Sequence, residues 1–282
     1  MITAVQQQTD DRPELAALVA VMVIKFDTEW RRLTVAQDTL LRTIERLRPG
    51  YGATTRINGM VASFQQQVGE FHRLARALAE RWAAQDLPIA YRDGALRALR
   101  TAGADPALFT WTTNHQAEIT PITAVYYTDL IGRIQEAVRR AQAFARAVRD
   151  AAREVTLGRN HEGIDSARLA ADHPLSTVVY RNEARHQVKD WARTALTYQA
   201  TTTANRAAVN AGVWELEADW FECVDGPHCG FVSHPDTDHA NGTIRSADEA
   251  GTYLIAHFGC IRQWVPRPDL NGRRDIESGD PA

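Results

Sequence analysis

All three cysteines of this 282-residue chain, and four of its nine histidines, fall between Cys223 and Cys260. The stretch runs Cys223-Val-Asp225-Gly226-Pro227-His228-Cys229, then Ser233-His234-Pro235, Asp238-His239, and finally Ala256-His257-Phe-Gly-Cys260. Thiolate and imidazole are the ligands that tetrahedral zinc prefers, and a closed four-ligand knot can hold a segment too small to build its own core. Cys229 and His234 form a C-x4-H pair, His257 and Cys260 form an H-x2-C pair, and residues 235–256 lie between them. Two close pairs separated by a loop is the layout of a structural zinc site. Cys229, His234, His257 and Cys260 are therefore the candidate ligands. Cys223 is the alternative to His234, because a turn through Asp225-Gly226-Pro227 would return it beside Cys229 and Phe231. The spacing follows no common zinc finger. The same residues also read as reduced thiols with histidines on turns. A disulfide would leave one cysteine over, and no secretory signal precedes it.

The elements that must position these residues are mostly helices. Asp11 with Pro13 can start a helix whose stripe Leu15, Leu18, Met22, Phe26, Trp30, Leu33, Leu40, Ile44 and Leu47 stops at Pro49-Gly50. A second helix carries Ile57, Val61, Phe64, Val68, Phe71, Leu74 or Ala75, Leu78 and Trp82, and ends before Pro88. A short third piece, Tyr91 to Thr101, closes at Gly103. The next helix is expected from Pro121 to Leu157, on the order of 55 Å long at about 1.5 Å per residue. Its apolar residues Ile131, Ile134, Val138, Ala141, Ala145, Val148, Ala152 and Val155 recur in steps of three and four, the spacing of a coiled-coil seam. A further helix is expected from Ser176 to Asn210, stopping at Gly212, with an unusually polar middle from Tyr198 to Arg206 and a lone His186. After Gly212 the period changes: Val213 to Cys223 alternates as a half-buried strand does, and Asn241-Gly242 marks a turn before Thr243-Ile244-Arg245.

The expected architecture is thus mainly α: an elongated bundle of long helices followed by a small C-terminal zinc-knot module containing a β-hairpin. The domain reading is 1–157 long helices, 158–175 linker, 176–266 helix plus Cys/His module, and 267–282 a polar, mobile tail. The net charge of −3 gives no reason to expect wholesale attraction to nucleic acid or membrane. No run of about 18 apolar residues occurs, so no membrane span is expected. Asp10, Asp11 and Glu14 precede the apolar stretch Leu15 to Ile24, where a signal peptide would carry positive charge. A soluble protein kept in a reducing compartment is the resulting expectation. Arginines crowd the helix before residue 157, among them Arg133, Arg139, Arg140 and Arg146. They would suit phosphate or an acidic partner. A solvated face with pairs such as Glu136–Arg140 accounts for them too.

The order of these pieces resembles the MuF-like minor head proteins of tailed phages, also called head morphogenesis proteins. The family ends in a Cys/His module: a tryptophan-bearing strand, an aspartate-rich turn with cysteine, an Asn/Asp-Gly turn, and an ending of the form A-H-P-x-C-R. Here these are Trp214 to Trp220, Asp225 to Phe231, His234 to Gly242, and Ala256-His257-Phe258-Gly259-Cys260-Ile261-Arg262. Cys229, Gly230, Phe231 and His234 are similar to a C-G-W-x-x-H segment of versions in phages of actinobacteria, and Asp105-Pro106 to Trp111-Thr112 resembles their helical part. Phe258 replaces the proline after the histidine, and the final arginine is displaced to Arg262. The resemblance covers roughly residues 176–266. It implies a non-enzymatic virion protein inside the head near the portal, acting in head assembly or DNA packaging and delivery. Its partners would be portal and capsid proteins, with packaged double-stranded DNA a secondary contact through Arg133, Arg139, Arg140 and Arg146.

Two other readings compete. Asp238-His239-Ala-Asn241-Gly242 beside cysteines is faintly similar to the metal-finger (HNH-like) nucleases, with His239 and Asp236 or Asp238 cast around a metal-activated water. An Asn-Gly segment is also an ordinary turn. The other is a helical adaptor without metal. No G-x-S-x-G motif is present for a fused protease.

Overall fold

The computed structural model describes residues 12–46, 52–160, 163–180, 184–225, 240–257, 260–273 and 275–282. Helices make up 71% of these, and a small antiparallel sheet lies near the C-terminus. The chain divides into two compact units. One comprises Met1–Val21, Arg81–Tyr126 and Arg193–Ala282; the other comprises Met22–Glu80 and Tyr127–Ala192.

The second of these units takes its core from helix α1 (Pro13–Glu45), helix α2 (Ala53–Arg81) and helix α4 (Thr113–Thr156). Met22, Phe26, Trp30, Leu33, Leu40 and Ile44 are buried along α1, and Ile57, Val61, Phe64, Val68, Phe71, Ala75 and Ala79 along α2. On α4 the buried set is Leu130, Ile134, Ala137, Ala141, Phe144, Ala145, Val148, Ala152 and Val155, a three-four seam as expected but with Leu130 and Ala137 replacing Ile131 and Val138. Trp30 packs edge-on against Phe71 at 4.8 Å and lies 5.7 Å from Trp191, and Phe64 meets Phe144 at 5.3 Å. Helix α5 (Ser166–Asp172) is capped by Asp165, which accepts from the Arg168 amide.

Several sequence expectations are corrected here. Helix α4 begins at Thr113 rather than at Pro121, which sits inside it; the Thr112 hydroxyl accepts the His115 amide at 3.4 Å and caps the earlier start. No helix end precedes Pro88. The turns widen to a π segment at Trp82–Asp86 and continue into α3 (Leu87–Thr101). Pro88 brings no N–H, so a wider turn just before it is where the lost bond is absorbed. The helix expected from Ser176 is first a hairpin: β1 (Thr177–Val179) pairs antiparallel with β2 (Arg185–Gln187), Val178 opposite His186. A Thr-Val-Val run is β-branched and favours that choice. His186 is therefore on a strand, 5.3 Å from the Tyr180 ring.

Helix α6 (Val188–Leu216) then continues straight through Gly212. A side chain at Gly212 would meet the Phe221 ring at 2.6 Å, so glycine is there for close packing and not to end the helix. Glu217, at φ 51°, makes the left-handed turn that ends it, and the Asn271 amide holds its carbonyl at 2.7 Å. Only the second half of the expected strand is extended: β3 (Trp220–Val224) is flanked by β4 (Ile244–Ser246) and β5 (Gln263–Pro266), both antiparallel to it. Helix α7 (Ala247–Thr252) follows β4 with Ser246 as its cap. Asn241-Gly242 is a turn as expected, with Gly242 at φ 73°. The polar C-terminal residues lie along β4: the Ile244 amide donates to the Asp280 carbonyl at 2.7 Å, the Gly279 amide to Ile244 at 2.8 Å, and Thr243 bridges Pro281. Among the described residues, no helix is long and apolar enough to cross a membrane.

Candidate functional site

The described side chains place two polar clusters in the unit that holds the sheet. The first lies at the root of the Cys/His segment. In the β3–β5 register Phe221 faces Pro266 and Val224 faces Gln263, so one step further Asp225 faces Arg262. The two form a fully buried, bidentate pair: Arg262 Nε donates to Asp225 Oδ1 at 2.7 Å and Nη2 to Oδ2 at 2.6 Å. Arg262 Nη1 also donates to the Tyr253 carbonyl at 2.9 Å, and its guanidinium lies 5.4 Å from the Trp264 ring. Asn205, in the polar middle of α6, donates to the Leu254 and Arg262 carbonyls at 2.7 and 2.8 Å. The Asn241 side chain accepts the Asp225 amide at 2.7 Å. Arg12, just before α1, donates to the carbonyls of Ile261 and Arg262. Arg262 is thus the centre of a closed network, and such a pair is stabilising only when its remaining donors are satisfied in this way.

Of the candidate ligands, Cys229 and His234 lie outside the described residues, as do Asp236, Asp238 and His239 of the nuclease reading. Cys260 is buried and His257 half-buried, and the Cys260 amide donates to the His257 carbonyl at 3.1 Å. Cys223 is buried on β3 among Val209, Phe221, Leu254 and Trp264, and its thiol donates to Asp225 Oδ1 at 3.4 Å. That bond is made by a protonated thiol, whereas a metal takes the thiolate. Among the described residues, no three His, Cys, Asp or Glu side chains converge as a metal set.

The arginines of α4 have different employments. Arg140 is partly buried and donates to the Pro174 and Thr177 carbonyls at 2.7 and 2.8 Å, fastening the start of β1; burial lowers its pKa. Arg133 lies over the Tyr180 ring at 4.2 Å. Arg139 is exposed and chelated by Glu136 at 3.0 and 2.6 Å, and Arg146 is exposed.

The second cluster was not singled out from sequence. His115, fully buried in the first turn of α4, has Nδ1 2.9 Å from the Tyr91 hydroxyl of α3 and Nε2 2.9 Å from Glu215 Oε1 of α6. The Asn210 amide donates to the same hydroxyl at 2.8 Å. The arrangement that gives every proton an acceptor runs from Asn210 to the Tyr91 oxygen, from the Tyr91 hydroxyl to Nδ1, and from Nε2–H to the Glu215 carboxylate. Phe109, Trp111 and Trp214 surround the imidazole at 4.9, 6.4 and 4.8 Å. The order hydroxyl, imidazole, carboxylate is that of a nucleophile relay. Burial, however, pushes Tyr91 up to about 12, and neither Tyr91 nor His115 is exposed. Tyr91 is therefore held as a hydroxyl, and the relay works as a polar clamp joining α3, α4 and α6. Partners separated by tens of residues leave no local signal of such a clamp.

No protein-family model matches the chain, and neither a curated protein nor a solved structure is significantly similar to it.

Proposed function

We propose that this chain is a non-enzymatic minor head protein of a tailed phage, held inside the head near the portal and acting in head assembly or DNA packaging and delivery. Its C-terminal module carries the reading. The tryptophan-bearing strand, the Asp turn, the Asn-Gly turn and the Ala-His-x-x-Cys-x-Arg ending follow the family order. Asp225, Asn241 and Arg262, one from each of the last three pieces, meet in one network. That meeting supports treating them as one module and not as scattered turns.

Within this reading Cys229, His234, His257 and Cys260 hold one structural zinc, and Cys223 serves the apolar core beside it. The zinc would tie the segment that follows β3 to the segment that precedes β5. The partners are the portal and neighbouring capsid proteins. DNA is a secondary contact, because a chain near neutrality lacks the concentrated basic face that counterion release rewards. Arg139 and Arg146 are the arginines left for such contacts, since Arg133 and Arg140 serve the β1–β2 hairpin. Mixed with portal rings of the same phage, the full chain is expected to sediment with them. A chain that stays at the top of the gradient, or that cleaves DNA in a metal-dependent reaction abolished by His239→Ala, contradicts the proposal.

A further inference from the structure

Around the buried His115 clamp, the outer walls are aromatic and open to solvent. Trp111 is 43% exposed, Trp214 39% and Leu108 49%. Both indoles lie against the same imidazole, so they belong to one patch, and Phe109 packs at 6.1 Å from Trp111. Exposed tryptophans grouped in this way mark interaction surfaces more than stability, since each leaves much of a large apolar body in water. Trp111 is also posed: its indole N–H donates to Gln116 at 3.0 Å.

Charge says what kind of partner fits. Glu215 is engaged through Oε1 by His115, and its other oxygen, Oε2, is buried, so this carboxylate lies beneath the patch without opening to solvent. Glu118, one turn beyond His115 on α4, is 43% exposed and has only a long ion pair with Arg206, at 4.0 Å. Burial is the main cause that raises the Tyr91 pKa; Glu118 and Glu215 add to it and Arg206 opposes them, two carboxylates to one guanidinium near the clamp. Aromatic faces over negative charge attract a cation through the ring quadrupole as well as the carboxylates.

We propose that Leu108, Phe109, Trp111 and Trp214 form a docking surface for an arginine-bearing segment of a partner protein, whose guanidinium stacks on the indoles and is held by Glu118. Arginine fits better than lysine because its planar group stacks on an aromatic face and still offers donors in a fork to a carboxylate. The surface asks only for an exposed arginine flanked by apolar residues, whatever assembly carries it.

The test is selection from a displayed library of random seven-residue peptides on the immobilised full chain, with the Trp111→Ala/Trp214→Ala variant as the counter-selection. Peptides enriched on the wild type and lost on the variant are expected to carry arginine, usually beside an apolar residue. Their affinity is expected to fall at least tenfold with Trp214→Ala. It should also fall at least twofold with Glu118→Gln, an exposed change that leaves the fold intact by circular dichroism. Enrichment of neutral or acidic peptides, of lysine without arginine, or of none that depends on the tryptophans, overturns the proposal. So does arginine binding unaffected by Glu118→Gln.

Discussion

Tyr91 ties three helices together through one buried hydroxyl. It accepts from Asn210, faces His115, and through it reaches Glu215. Its folded pKa, about 12, stands above the ordinary value of 10.0 because burial disfavours the phenolate. The folded state therefore holds a proton that the unfolded chain gives up earlier, so this contribution to stability is complete below pH ~10 and is lost as pH rises through ~12. Denaturation measured from pH 9 to 12 is expected to show that fall. Tyr91→Phe should flatten it while lowering stability at pH 7, since Asn210 and His115 lose a partner; Tyr126, also pushed up to about 12 by burial, keeps a remainder. An unchanged alkaline profile in Tyr91→Phe would contradict this role. For Asp225 and Arg262, removing one partner leaves a buried charge, and Asp225→Asn or Arg262→Met should cost about 3–5 kcal/mol. The Asp225→Leu/Arg262→Met double variant should recover much of that in urea titrations. The sequence offered Asp225 as a turn residue and Arg262 as a displaced motif residue. That they pair appears only once β3 and β5 are in register.

At the scale of elements, what was legible followed periodicity. The stripes of α1, α2 and α4 are read from apolar steps of three and four because each helix buries one face only. Helix α6 defeats that rule: its polar middle is buried, and Gln199, Asn205 and Asn210 are matched by partners far along the chain. Gln199 accepts from the Trp82 indole at 2.7 Å, and Asn205 and Asn210 serve the two clusters. Such a helix has almost no amphipathic signal, so a single sequence shows it only as an oddity. Gly212 misled for a similar reason, since it reads as a helix stop and is instead a close-packing site inside α6. Gly94 on α3 is pressed against α6 so closely that a Cβ would sit 2.1 Å from the Ala204 carbonyl oxygen, with backbone on the far side that cannot swing away. Gly94→Ala is expected to cost about 1–3 kcal/mol or more through overpacking, despite alanine's better helix propensity. A thermal melt unchanged or raised by Gly94→Ala would contradict the close α3–α6 packing. Arg140→Ala should loosen the β1–β2 hairpin, seen as faster amide exchange at residues 177–179, whereas Arg139→Ala should not.

At the scale of the whole molecule, the chain's composition points to no enzyme class, and the functional reading rests on the order of motifs in its last hundred or so residues. On the zinc reading proposed above, full-length protein purified without a histidine tag is expected to carry one zinc, and Cys260→Ala to lose it. Zinc-free protein whose melting ignores chelators would remove the metal from the account without touching the sheet or the Asp225–Arg262 pair. Reversing Arg139 and Arg146 to glutamate should weaken incorporation into heads and leave the fold unchanged, because neither side chain supports the hairpin as Arg140 does. On the function proposed above, the most direct measurement is quantitative mass spectrometry of purified heads and virions of the tailed phage proposed to encode the chain. The protein is predicted in both, at low copy. Particles of full infectivity that contain none of it would contradict the account.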